Sequence, residues 1–150
     1  MADSTDVLLK FVEQQWIEAK QAEDQRSIMT NIILVIVAAI IGFIAQKGLN
    51  NNVLFLSILL IILGLYGAIV SAKLYERHQF HISRLTSWRK KIDELNPDTK
   101  LEALKSEANI SHYQRFPVIK KIKLYYLWMA LHLMIAFGGV ILTVIIIFFS

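Results

Sequence analysis

The sequence predicts an all-α membrane protein: three long helices running up, down and up, each part transmembrane and part cytoplasmic stalk. Three observations carry this. The chain has 150 residues, of which 55% are hydrophobic, and its mean hydropathy is +0.49, too apolar for an ordinary soluble domain and long enough for one domain only. Three apolar stretches, 28–45, 53–72 and 124–149, reach the length needed to cross a bilayer. If all three cross, fifteen of the sixteen Lys and Arg residues fall on one side, leaving Lys47 alone on the other.

Taken in order, 5–29 reads as a helix that Asp3 or Ser4 can cap, with Leu8, Phe11, Val12, Trp16, Ala19, Ala22 and Arg26 recurring at three- and four-residue spacing. Nothing breaks it before the span 28–45. The polar link 46–52, with Gly48 and three consecutive asparagines, reads as a tight turn on the outer side. From Val53 to Leu95 no Gly-Pro or turn cluster intervenes. One continuous helix of about 64 Å is therefore expected, its first part the span 53–72 and its second part the cytoplasmic segment 73–95. The cytoplasmic part carries a stripe of Leu74, His78, His81 or Ile82, Leu85, Trp88, Ile92 and Leu95, a seam for other helices, and Asn96-Pro97 ends it. Thr99 and Glu102 have the spacing of a capping box for a return helix within 98–123, which should kink or restart at Phe116-Pro117. The third span, 124–149, has Tyr125, Tyr126 and Trp128 at its near interface and Phe148 and Phe149 at the far one.

The positive-inside rule places the N-terminus and the central segment in the cytoplasm and the C-terminus at the outer face. The N-terminus is acidic and amphipathic, unlike a cleavable signal peptide. The central segment holds twelve basic and six acidic residues, while the N-terminal helix together with Asp3 before it holds three and six. These opposite signs suit pairing within the stalk, and Lys120, Lys121 and Lys123 suit anionic lipid headgroups. Nucleic acid is not the expected partner, because the basic residues lack interleaved aromatic platforms.

Ionisable or polar groups inside spans are candidates for function, and His132, about nine residues into the third span, stands first, with Asn31, Ser57 and Thr143 behind it. Each has a plainer reading. His132 can be an imidazole bonded to a neighbouring helix, and Ser57 and Thr143 can bond their own helix carbonyls, which leaves Asn31 in need of a partner. Small residues recur as Ala38 and Gly42, as Gly64, Ala68 and Ala72, and as Gly139, faces that let helices approach closely in lipid, either within one subunit or between subunits. Leu85, Trp88, Ile92 and Leu95 are expected to form the stalk seam. His78 and His81 near Glu76 lack a third ligand, so packing is favoured over metal binding. With no cysteine, no phosphate loop and no paired carboxylate in a span, neither a cofactor nor catalysis is expected. Arg77 and His81 invite comparison with HEPN-type ribonucleases, but only three residues separate them, fewer than that pattern has.

The layout, an N-terminal helix with EQQW and AEDQRS, a close pair of spans, and a second span running into AKLYERHQFHISRLTSWRKKIDEL, resembles small bacterial membrane proteins of the SLATT type and related multi-span effectors of antiphage systems. The likeness covers about 5–95, and the third span departs from a two-span layout. It implies a homo-oligomer of the bacterial inner membrane that permeabilises or depolarises it as a pore when a cytoplasmic sensor or effector protein acts on the stalk, a coiled coil in part. The competing expectation is a non-conducting anchor or scaffold for a soluble complex.

Overall fold

The computed structural model describes residues 4–149 and is helical almost throughout. Helix α1 runs from Ser4–Lys47, α2 from Leu54–Leu95, α3 from Leu101–Arg115 and α4 from Leu124–Phe149. Three of these, α1, α2 and α4, are long and apolar enough to cross a membrane. Asp3 lies outside the described residues, and Ser4 is already helical.

The turn between α1 and α2 is built as the sequence suggests. Gly48 takes φ +77°, a left-handed conformation that glycine adopts without steric cost, and its N–H closes the helix on Ile44 O. Asn50 then caps a short 3-10 turn, Asn51–Val53, by accepting a hydrogen bond from Asn52 N at 3.0 Å.

Contacts divide the chain into two units. The first comprises the chain up to Glu23 with Tyr75–Lys123; the second comprises Asp24–Leu74 with the chain from Leu124 onward.

In the first unit, Gln15, Ala19 and Ala22 of α1 and His81, Leu85 and Ile92 of α2 are buried. His81 Nδ1 lies 2.8 Å from Gln15 Oε1, His78 Nδ1 lies 3.0 Å from Ala19 O, and Phe11 packs on Trp88 with ring centroids 5.2 Å apart. Two expectations need correcting here. Trp16 is 55% exposed, because the buried stripe passes one residue earlier through Gln15, whose amide can bond His81. Leu95 is 45% exposed and not part of the seam, because the face turned to α1 passes one residue later through the half-buried Asn96, whose N–H bonds Ile92 O and whose side chain donates to Thr5 Oγ1.

Helix α3 also differs from expectation. It buries no residue, so the core of this unit is a two-helix seam rather than a three-helix bundle. Its N-terminus is not closed by a Thr99–Glu102 capping box. Asp93 of α2 supplies the cap instead: Oδ1 accepts from Leu101 N at 2.8 Å, Oδ2 accepts from Glu102 N at 2.9 Å, and Thr99 Oγ1 donates to Oδ1 at 2.8 Å. The Asp93 carboxyl titrates below its ordinary value, chiefly through the Glu102 N–H, against an opposing contribution from burial. As expected, the helix stops before Phe116-Pro117, and the connector to α4 contains only a 3-10 turn, Ile119–Lys121.

Candidate functional site

The second unit contains the buried polar groups that an apolar span has to accommodate. Its core is aliphatic, with Ile33, Val37, Ile40 and Ile44 of α1, Val53 and Leu60, and Ile146 of α4. Along α2 the buried positions Ser57, Leu60, Gly64, Gly67 or Ala68, and Ser71 recur at three- and four-residue steps. Four of these are glycine or serine, which draws α4 against the α2 backbone. A Cβ on Gly64 would lie 2.7 Å from His132 O and overlap the Ala136 backbone; one on Gly139 would lie 2.8 Å from Ile61 N. Dispersion at such short range holds the two helices together.

Two polar pairs sit in this seam. His132 is fully buried and its Nε2 lies 3.2 Å from Oγ1 of Thr30, itself fully buried on α1. The other ring edge faces Gly67, where a Cβ would lie 2.6 Å from His132 Cε1, and Nδ1 makes no hydrogen bond among the described residues. Glycine at 67 is therefore what makes room for the imidazole. Ser57 Oγ and Thr143 Oγ1 are 2.8 Å apart; Ser57 also reaches Leu54 O and Thr143 reaches Gly139 O, each at 2.8 Å. Two hydroxyl protons serve three contacts, so one hydroxyl bonds its own helix while the other ties α2 to α4. One turn before Thr30, the buried Arg26 lays its guanidinium 5.5 Å from the Trp128 ring centroid. Ser71 is fully buried and its hydroxyl has no hydrogen-bond partner among the described residues.

The candidate residues are thus brought together in part. His132 is central, and Ser57 joins Thr143. Asn31 is exposed and does not reach His132; the adjacent Thr30 does, because the buried face of α1 passes through 26, 30 and 33. Gly64, Gly139 and Ala68 pack inside the seam and Ala72 is half-buried, whereas Ala38 and Gly42 are exposed, with nothing within 4 Å of a Cβ at Gly42. These two take no part in packing within the chain, because α1 buries the Ile33, Val37, Ile40 and Ile44 face instead. An open apolar groove of about 260 Å³ in this unit is lined by Val37, Ile41, Leu60, Met134 and Gly138. In the first unit Leu85 and Ile92 are buried and Trp88 half-buried, and Lys120, Lys121 and Lys123 are exposed.

Thr30, Gly67 and Ser71 are the residues sequence reading passes over. The signal available for Gly67 is its position three residues after Gly64 and four before Ser71, on one helix face. Thr30 gives none, since a threonine at the edge of an apolar run can bond its own helix. His78 and His81 are engaged by α1, and among the described residues no group of three His, Asp or Glu side chains is placed to hold a metal ion. Compared with protein-family models, curated proteins and solved structures, the chain matches none of them.

Proposed function

We propose that the chain is an inner-membrane effector of a bacterium that acts as a homo-oligomer, crossing three times through α1, α2 and α4, and that it permeabilises the membrane when a cytoplasmic protein engages its first unit. The supporting observation is the open small-residue pair Ala38 and Gly42, both exposed, with nothing within 4 Å of a Cβ at Gly42. Lipid fills such a surface poorly, and a second helix packs on it closely. The seam among α1, α2 and α4 is closed by Gly64, Gly67 and Gly139, so an ion path requires several copies.

The test is inducible expression in cells carrying a potential-sensitive dye, alone and with the neighbouring genes, comparing the parent with Gly42→Leu. Depolarisation by the parent and its loss in Gly42→Leu is the expected outcome, since an added side chain there meets nothing within the chain. An unchanged potential in every strain sinks the reading.

A second reading, a non-conducting anchor for a soluble complex, draws on the closure of His132 between Thr30 and Gly67. It predicts that His132→Ala leaves function intact while charge reversal at the exposed Arg84, which lies 4.5 Å from the Phe80 ring centroid, abolishes it.

A further inference from the structure

We infer that the connector 116–123, with the last turns of α3, is a docking surface for an anionic lipid bilayer. The inference rests on the reading that α1, α2 and α4 cross a membrane. Side chains supply the first argument. Ile110, Tyr113, Phe116, Val118, Ile119 and Ile122 are 44–68% exposed, although α3 has nothing buried that would compensate. Six large apolar side chains exposed within thirteen residues outside the spans mark an interaction site.

Charge selects the partner. From 108 to 124 the sequence has no acidic residue and carries Arg115, Lys120, Lys121 and Lys123, interleaved with the apolar side chains. A second copy would bring the same positive surface against itself, and a phosphate backbone would leave the valine and isoleucines unused. A bilayer with anionic headgroups uses both: cations at the headgroups, aliphatic side chains at the acyl boundary. Chain continuity agrees, since Lys123 is followed by Leu124, the first residue of the apolar α4.

The backbone is prepared for that environment. Pro117 brings no N–H, and the N–H groups of Phe116, Lys120, Lys121 and Ile122 donate to His112, Phe116, Val118 and Ile119 carbonyls, so the connector is a run of closed turns with few donors left for water. Lys120 Nζ lies 5.3 Å from the Tyr113 ring centroid, which holds a cation and an aromatic ring at one place on the surface.

The chain has no cysteine, so single labels are clean. Val118→Cys, Ile119→Cys and Ile122→Cys in the full-length protein, each carrying an environment-sensitive fluorophore, are compared in phosphatidylcholine nanodiscs with and without phosphatidylglycerol. Gln79→Cys serves as the exposed control and Val140→Cys as the label within a span. The expected result is blue-shifted emission, quenched by headgroup spin-labelled lipid, at 118, 119 and 122 only when phosphatidylglycerol is present. Exchanging Lys120, Lys121 and Lys123 for Gln in turn should lower that partition about fivefold per lysine. Labels as wet as Gln79→Cys beside a lipid-buried Val140→Cys overturn this inference alone; a wet Val140→Cys removes the membrane reading with it. Shielding that vanishes on dilution of the protein and ignores lipid charge assigns the surface to a second copy and also overturns it.

Discussion

The two units bury different kinds of residue along the same two helices. In the second unit the α1 face is branched aliphatic, and the α2 face is small enough at Gly64 and Gly67 for α4 to touch its backbone. In the first unit the α1 face is Gln15, Ala19 and Ala22, joined to α2 by imidazole hydrogen bonds, and the third helix buries nothing. On the proposed reading the first unit lies in water, where the hydrophobic drive lets a modest seam with Leu85 and Ile92 suffice and polar side chains can specify its register. In a membrane that drive is absent, so stability has to come from close backbone approach and bonded polar pairs.

The largest expected effect breaks the close approach. Gly64→Leu places a side chain into the Ala136 backbone, which cannot yield as a flexible side chain would, and α4 should separate from α2. The overpacking cost then exceeds the usual 1–3 kcal/mol, enough to abolish the folded state of the second unit in detergent unfolding titrations. Gly42→Leu is the matched control, expected within about 0.5 kcal/mol of the parent. Equal effects at 64 and 42 would mean that the seam does not distinguish the two faces.

Next comes the aliphatic part of the first unit. Leu85 is 2% exposed, and Leu85→Ala should cost about 2–4 kcal/mol, read as loss of protease protection across Tyr75–Lys123. Leu95→Ala, at an exposed position, should change that protection little. A smaller change belongs to the polar pair of the second unit. Thr30→Val keeps the shape and removes the partner of His132 Nε2, a loss of about 0.6–1.7 kcal/mol on the scale of hydrogen bonds between membrane helices. A silent Thr30→Val would make packing at Gly67 the sole determinant of the imidazole's position.

The sequence makes these two regimes legible to different degrees. The helices, the Gly48 turn and the break before Pro117 follow from local rules, because each depends on residues a few positions apart. The small-residue face containing Gly64, Ala68 and Gly139 is also readable. The pairings of Thr30 with His132, Gln15 with His81 and Asp93 with α3 are not, since each joins segments whose register is set by the whole seam. Trp16 and Leu95 mislead for the same reason: the helical period admits neighbouring faces, and only the partner helix chooses between them.

The smallest expected effect is confined to the first turn of α3 and follows from Asp93. Its two oxygens accept from different N–H groups, Leu101 on Oδ1 and Glu102 on Oδ2, so the single oxygen of Asn at this position can satisfy only one. Asp93→Asn should therefore raise amide exchange at 101 and 102 while leaving α2 protected. The folded carboxyl titrates below 3.8, its ordinary value, because the ionised form is the one these donors favour. Its contribution is then fully present above pH 3.8 and is lost as pH falls through the lower, folded value. Protection of the α3 first turn, corrected for intrinsic exchange rates, should hold constant from neutrality down to that point and decline below it. In Asp93→Asn the decline should be absent, since the amide does not titrate. A decline shared by parent and variant would show that the Asp93 carboxylate is not its source.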